Sequence, residues 1–398
     1  MTLSLGSRLL LAAICAISVA TVYAAQPMLA PIGADLDLPG GALGWVVTVG
    51  QIGYLLGLLF LVPLGDLVDR RKLIGAHLTL TAGSVIIAAC ATRPAMLLIG
   101  VGCAGLFAVV VQTTVAYTAA VSDRQERGRN LGFVTSGVVI GILGARLIAG
   151  LLATWWGWRS VYFALAAALL TAVVVAMIVL PADQRGRRMP YGAVIGSARR
   201  LIGERRLLSR GLIALFLFAS FGTLWSGLAL PLGAAPWGLS AAQIGLFGIA
   251  GLAGALGAGR AGRWADRGWG DRVTGVALLL LLLSWAGIAQ ATWSLWLLVA
   301  GIVVLDFAVQ VVHVSNQHLI TTVHPERTSS AIGSYMLFYS AGSAIGAAAT
   351  TALYAVVGWD GSSALGAVFA TLAIAVWMVD RRTTRQRDGQ ADPARTSA

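Results

Sequence analysis

Residues 65–72 read Gly65-Asp66-Leu67-Val68-Asp69-Arg70-Arg71-Lys72, a charged octet between two long apolar runs, and a degenerate copy returns as Gly262-Arg263-Trp264-Ala265-Asp266-Arg267. A glycine lets the chain turn tightly, and the carboxylate after it can face a helix N-terminus or an arginine of a neighbouring segment. The two copies lie 197 residues apart in a chain of 398. Gln112 pairs with Gln310, Glu126-Arg127 with Glu326-Arg327, and Gly157-Trp158 with Gly358-Trp359, all at nearly the same offset. Four matches in one order at nearly one spacing mark an internal duplication.

The segments around the octet are of a kind found in membranes. Only 11% of the residues are charged and 58% are hydrophobic, whereas a soluble chain carries roughly a quarter charged residues. Cutting at charged or turn-rich segments leaves twelve apolar stretches, at 9–32, 42–64, 73–92, 94–121, 130–154, 160–180, 211–233, 240–259, 273–289, 293–322, 329–357 and 361–379. Each can cross a hydrocarbon core of roughly 30 Å. The expected fold is an all-α integral membrane protein of twelve transmembrane helices in two six-helix repeats. Residues 1–180 form the first bundle, 181–210 a basic cytoplasmic loop, 211–380 the second bundle and 381–398 a cytoplasmic tail. The 49 glycines suit close helix packing in lipid. Cys15, Cys90 and Cys103 have neither disulfide nor metal spacing and read as small core fillers.

The basic residues set the orientation. With the N-terminus inside, 25 of the 28 Lys and Arg fall in cytoplasmic segments, Arg93 and Arg159 fall outside, and Arg146 remains within a span. The net charge of +12 is thereby explained by topology and not by nucleic acid. Arg8, an apolar run and Ala24-Ala25-Gln26 imitate a signal peptide, but the run continues to about Ile32 and is read as the first span.

Two ionisable residues lie deep in predicted spans, Asp306 in the tenth and Arg146 in the fifth. Buried charge in a membrane faces a cavity or another charge. Asp306, Gln310, His313 and Gln317, at steps of 4, 3 and 4, share one helical face for about 16 Å. That stripe should point into a water-filled cavity. Asp306 then reads either as a proton or cation site, with His313 a relay, or as a structural pair that holds its helix. Arg146 reads either as an attractor for an anionic substrate group or as a fixed partner of Asp306 or of backbone carbonyls. Further cavity candidates are Tyr23, Gln26, Gln51, Tyr54, Gln112, Tyr117, Tyr335 and Tyr339, for which the alternative is interhelical bonding. Trp155, Trp156, Trp158 and Trp359 gather near predicted outer ends and read as interfacial anchors. Gly65, Asp66, Asp69 and Arg70, with Asp266 and Arg267 in the copy, are candidates for a cytoplasmic gate; the plainer reading is stop-transfer charge.

Gly65 to Lys72 resembles the signature loop of the major facilitator superfamily. Gln26-Pro27-Met28-Leu29, Gly53-Tyr54, Leu61 to Asp66, Asp306 to Gln310 and His313 to Gln317 resemble a bacterial branch close to drug:proton antiporters and sugar-efflux proteins. The resemblance covers essentially the whole chain. It implies a bacterial inner-membrane carrier with both termini cytoplasmic, taken as a monomer, that alternates access around a central cavity and is driven by protons. Antiporters of the superfamily often carry a Gly-Pro pair in the fifth helix; here Gly141-Ile142-Leu143-Gly144-Ala145-Arg146 has no proline.

Nothing reads as an enzyme: there is no phosphate loop, and four scattered histidines give no zinc spacing, so neither cofactor nor metal is expected. The reading is a secondary transporter that exports a small organic solute by proton antiport. The alternatives are proton-coupled uptake by symport, a channel, and a transporter-like sensor without appreciable flux.

Overall fold

The computed structural model describes residues 3–123, 125–182, 203–257, 270–323 and 328–391. Eleven helices in these residues are long and apolar enough to cross a membrane: α1 (Leu5–Asp35), α2 (Gly40–Phe60), α3 (Arg70–Ala89), α4 (Pro94–Val121), α5 (Arg129–Trp156), α6 (Trp158–Val179), α7 (Arg205–Gly233), α9 (Asp271–Thr292), α10 (Leu295–Ile320), α11 (Ala331–Val357) and α12 (Trp359–Thr383). A shorter apolar helix, α8 (Ala241–Gly257), lies between α7 and α9. The chain is a multi-pass integral membrane protein, and each apolar stretch of the sequence coincides with one of these twelve helices.

Local chemistry sets several boundaries. Asp69 caps α3, its Oδ1 accepting the Arg71 backbone N–H at 2.8 Å, which satisfies one donor orphaned at a helix start. Pro94 stands in the first turn of α4, where its missing N–H is harmless. The repeated Gly-Trp pairs have one structural cause: Gly157 and Gly358 adopt φ of 78° and 76°, so each ends a helix in a conformation glycine tolerates and lets the next begin at the tryptophan. The first span is interrupted at Gln26–Met28 by a 3-10 turn over Gln-Pro-Met, because Pro27 cannot supply a backbone donor.

The pairings of helices recur along the chain. α1 packs on α5, α2 on α4 and α3 on α6; six helices later α7 packs on α11, α8 on α10 and α9 on α12. Two seams cross between these sets, α2 with α11 and α5 with α8. Both depend on missing side chains. A Cβ on Gly44 would collide with Thr351 and the Ala347 carbonyl, and one on Gly150 with the Ala241 carbonyl.

Some expectations need correction. Trp155 and Trp156 are exposed, as interfacial anchors should be, but Trp158 and Trp359 are buried. Trp158 packs edge-on against Tyr162, and Trp359 donates to the Ile288 carbonyl at 2.9 Å. Cys15 is a buried filler, whereas Cys90 is exposed at the end of α3. The expected second gate motif, with Asp266 and Arg267, lies outside the described residues, as does most of the loop 181–210 and the end of the tail.

Candidate functional site

A cavity of about 400 Å³ lies among α1, α2, α4, α5, α7, α10 and α11. α10 gives it Asp306, Gln310, His313 and Gln317, so the stripe at helical spacing does face inward. Tyr23 comes from α1, Gln51 and Tyr54 from α2, Gln112 from α4 and Tyr339 from α11. Phe218 and Phe221 of α7 complete the wall. Reading for polar residues passes over these two. Their one available signal is spacing, since Phe218, Phe221 and Trp225 share one face of α7 at steps of 3 and 4.

The cavity is open toward one end of the bundle. Its α5 residues run from Gly132 to Ile142, in the half nearer the arginine-rich end, and Gly132, Thr135 and Ser136 are exposed there. Toward the other end the two glycine seams close it. Across them Ser340 donates to the Gln51 carbonyl at 2.8 Å, Thr48 to the Ala344 carbonyl at 3.4 Å, and the Ala242 backbone N–H to Thr154 at 3.0 Å.

Hydrogen bonds organise the wall. The hydroxyls of Tyr23 and Tyr339 bond to each other across α1 and α11. Gln112 Nε2 donates to the Tyr54 hydroxyl at 3.2 Å. Gln317 Nε2 lies 3.1 Å from His313 Nε2, and His313 Nδ1 lies 3.0 Å from the Tyr335 hydroxyl. With the Gln317 amide donating, His313 Nε2 accepts and Nδ1 carries the proton toward Tyr335. Phe218 packs edge-on against the imidazole, with ring centroids 5.2 Å apart.

Four residues named as cavity candidates stand behind the lining. Tyr117 donates to the Pro181 carbonyl at 2.8 Å, and Tyr335 sits fully buried behind His313. Gln26 and Arg146 are joined to each other: Arg146 Nε donates to Gln26 Oε1 at 2.8 Å. The Arg146 guanidinium lies 3.8 Å over the Trp225 ring, with Phe221 at 5.5 Å and Tyr23 at 5.6 Å. Both its Nη atoms are buried without a hydrogen bond.

Asp306 is the single formally charged side chain lining the cavity among the described residues. It and Arg146 feel each other's charge but form no direct ion pair; the Trp225 side chain also stabilises the carboxylate, while Oδ2 is buried without a well-formed hydrogen bond. The proposed gate residues are farther off. Asp69 caps α3 while Gly65 and Asp66 lie in a 3-10 turn over Val62–Asp66. Among the described residues no group of three or more His, Cys, Asp or Glu could hold a metal ion.

The architecture has close counterparts. The "Uncharacterized transporter YgaY" of Escherichia coli O157:H7 is 38% identical over 91% of this chain and 92% of its own length. The "Probable transporter SCO4007" of Streptomyces coelicolor is 33% identical over 91% of this chain and 85% of its own. A bacterial homologue of the human lysosomal transporter Spinster, solved in an inward-facing and occupied conformation, superposes with a TM-score of 0.80 at 15% identity, covering 94% of this chain and 96% of that one. The family model of the Major Facilitator Superfamily matches residues 9–234 and 211–398. The chain belongs to the Major Facilitator Superfamily and is a secondary transporter for a small solute, not an enzyme.

Proposed function

We propose that the protein exports a small organic solute in exchange for protons, with residues 1–180 and 211–380 moving as two halves around the central cavity. The observation that carries this reading is Asp306. Among the described residues it is the one formally charged side chain on the cavity wall, it comes from the second half, and the opposite charge it feels, Arg146, comes from the first. A carboxylate so placed can hold either a proton or part of a solute, and its electrostatic neighbour shifts whenever the halves move. Exclusive occupancy of one group by proton or solute is the simplest source of obligatory exchange.

The arginine-rich end, to which the cavity opens here, is then the cytoplasmic end, as the distribution of basic residues favours. His313 has both ring nitrogens engaged by Gln317 and Tyr335, an arrangement that fixes the imidazole and is also what a proton relay requires.

Proteoliposomes test this reading. Asp306→Asn should retain passive counterflow of solute and lose solute-induced proton movement. Normal proton movement by the variant would remove Asp306 from coupling. Proton and solute moving in the same direction in the native protein would replace export with symport.

A further inference from the structure

We propose that the inner end of the cavity is a seat for a zwitterion, an α-amino acid or a compact zwitterionic derivative, whose carboxylate engages Arg146 and whose ammonium engages Asp306. The proposal rests on the transport reading above and names the solute class for the same site.

The argument starts from unsatisfied atoms. Arg146 Nε is bound to Gln26, yet Nη1 and Nη2, the two groups that present a carboxylate-shaped fork, are buried without partners. Asp306 Oδ2 is likewise buried without a well-formed hydrogen bond, the Trp225 side chain standing near enough to stabilise its charge but not to satisfy it. Buried charged groups left in this condition are costly. Opposite charges that feel each other in a buried site would ordinarily pair directly. Here they are held apart, Arg146 by its bond to Gln26 and its stack on Trp225, Asp306 by its place on α10.

The charge of the ligand follows by elimination. A simple anion on the guanidinium would lie beside the Asp306 carboxylate and be repelled by it. A simple cation on Asp306 would leave the guanidinium fork unsatisfied and meet its positive charge. A ligand that carries both charges a few bonds apart satisfies both groups and leaves the site's net charge unchanged. The rest of the ligand would lie in the cavity against Phe218, Phe221 and Val309, which favours an apolar side chain. Tyr23 and Phe221 both line the cavity and both flank the guanidinium, so loading the seat requires those rings to turn aside. An ammonium and a proton compete for the Asp306 carboxylate, which links the solute class to exchange.

Equilibrium binding to the full-length protein in lipid nanodiscs is the test, with L-valine, L-leucine and L-phenylalanine compared with their methyl esters and N-acetyl derivatives. At least one amino acid should bind about tenfold or more tighter than both its cationic ester and its anionic N-acetyl form. Arg146→Gln should erase the preference over the ester, and Asp306→Asn the preference over the N-acetyl form. Because either single change leaves an uncompensated buried charge, the pair Arg146→Gln/Asp306→Asn is included as a charge-neutral variant; it should fold and discriminate among none of the three forms. The proposal is overturned if an ester or N-acetyl form binds as well as every parent amino acid. It is equally overturned if no amino acid binds at about 10 mM, or if the preference survives in the double variant. Counterflow keeps the two readings distinct. Transport of some other solute with no preference for zwitterions removes the solute class and leaves the transporter, whereas zwitterion binding without counterflow of any solute removes the transport reading and leaves the seat.

Discussion

The indole of Trp225, on α7, carries the guanidinium of Arg146, on α5, 3.8 Å above its ring. The contact joins a charge of the first half of the chain to a ring of the second, in a place both side chains share with almost no solvent. Desolvated cation–π contacts are worth about 2 kcal/mol or more. Trp225→Leu should therefore lower thermal stability more than Trp225→Phe, which keeps a ring. Packing loss contributes to both, so the informative quantity is the coupling between Trp225→Leu and Arg146→Gln/Asp306→Asn in a thermodynamic cycle. A coupling near zero would reduce the stack to apolar packing.

The glycine seams predict a shift in conformational population. Gly44 and Gly150 lie where α2 meets α11 and α5 meets α8, and a side chain at either would collide with the opposite helix. Gly44→Val or Gly150→Val should therefore open the end of the bundle that is closed in this structure. The measurement is labelling of Ala242→Cys from outside the cell by an impermeant maleimide, in a Cys90→Ser background because Cys90 is itself exposed. Reactivity should rise several-fold. Gly53 is a useful contrast, since its close contact is with Gly102 of α4, within the first half. Gly53→Ala should cost stability without raising labelling, and labelling unchanged in a well-folded Gly44→Val would show that the seam is not a gate.

Much of this fold was legible because hydrocarbon demands long apolar runs. The stretch 293–322 became Leu295–Ile320, and 361–379 became Trp359–Thr383. The polar face from Asp306 to Gln317 was legible for the related reason that lipid rejects it. What the sequence concealed was which polar residues reach the cavity and which bond behind its wall. Gln26 and Tyr117 looked equivalent to Gln51 and Tyr54, but the first binds Arg146 and the second a backbone carbonyl. Depth along a helix can be counted in residues, whereas the direction of a side chain depends on neighbours supplied by distant parts of the chain. Phe218, Phe221 and Trp225 were hidden differently, since an aromatic face in a membrane protein looks the same whether it meets lipid, core or solute.

Asp69 separates two roles that the octet combines. As the cap of α3 it accepts the Arg71 N–H, and loss of such a cap costs about 1 kcal/mol. Asparagine caps about as well as aspartate, so Asp69→Asn should keep the cap and be more stable than Asp69→Ala, which loses it. If the charge also acts in gating, both variants should slow counterflow at equal substrate occupancy. Normal counterflow by Asp69→Asn would confine the residue to capping.

The last prediction concerns the arginine-rich end of the second half, where Arg210 of α7 reaches two carboxylates. Its Nη2 lies 3.1 Å from Asp380 Oδ2 and 3.5 Å from Asp271 Oδ1. Arg210 and Asp380 are nearly buried, with side chains 8% and 10% exposed, whereas Asp271 is 40% exposed and also held by Arg381 at 3.4 Å and the Trp377 indole at 3.0 Å. Breaking a buried pair from one side costs about 3–5 kcal/mol, because the other charge remains in a dry site. Arg210→Met should therefore destabilise strongly, and through the nearly buried Asp380 more than through the more exposed Asp271. The double change Arg210→Met/Asp380→Leu removes both charges at similar volume and should recover most of the loss, as heat-induced aggregation of the detergent-solubilised protein can show. If the cluster only frames α7, α9 and α12, the double variant should also keep normal counterflow. A stable double variant with slowed counterflow would instead place the Arg210 pair among the contacts that change as the cavity alternates.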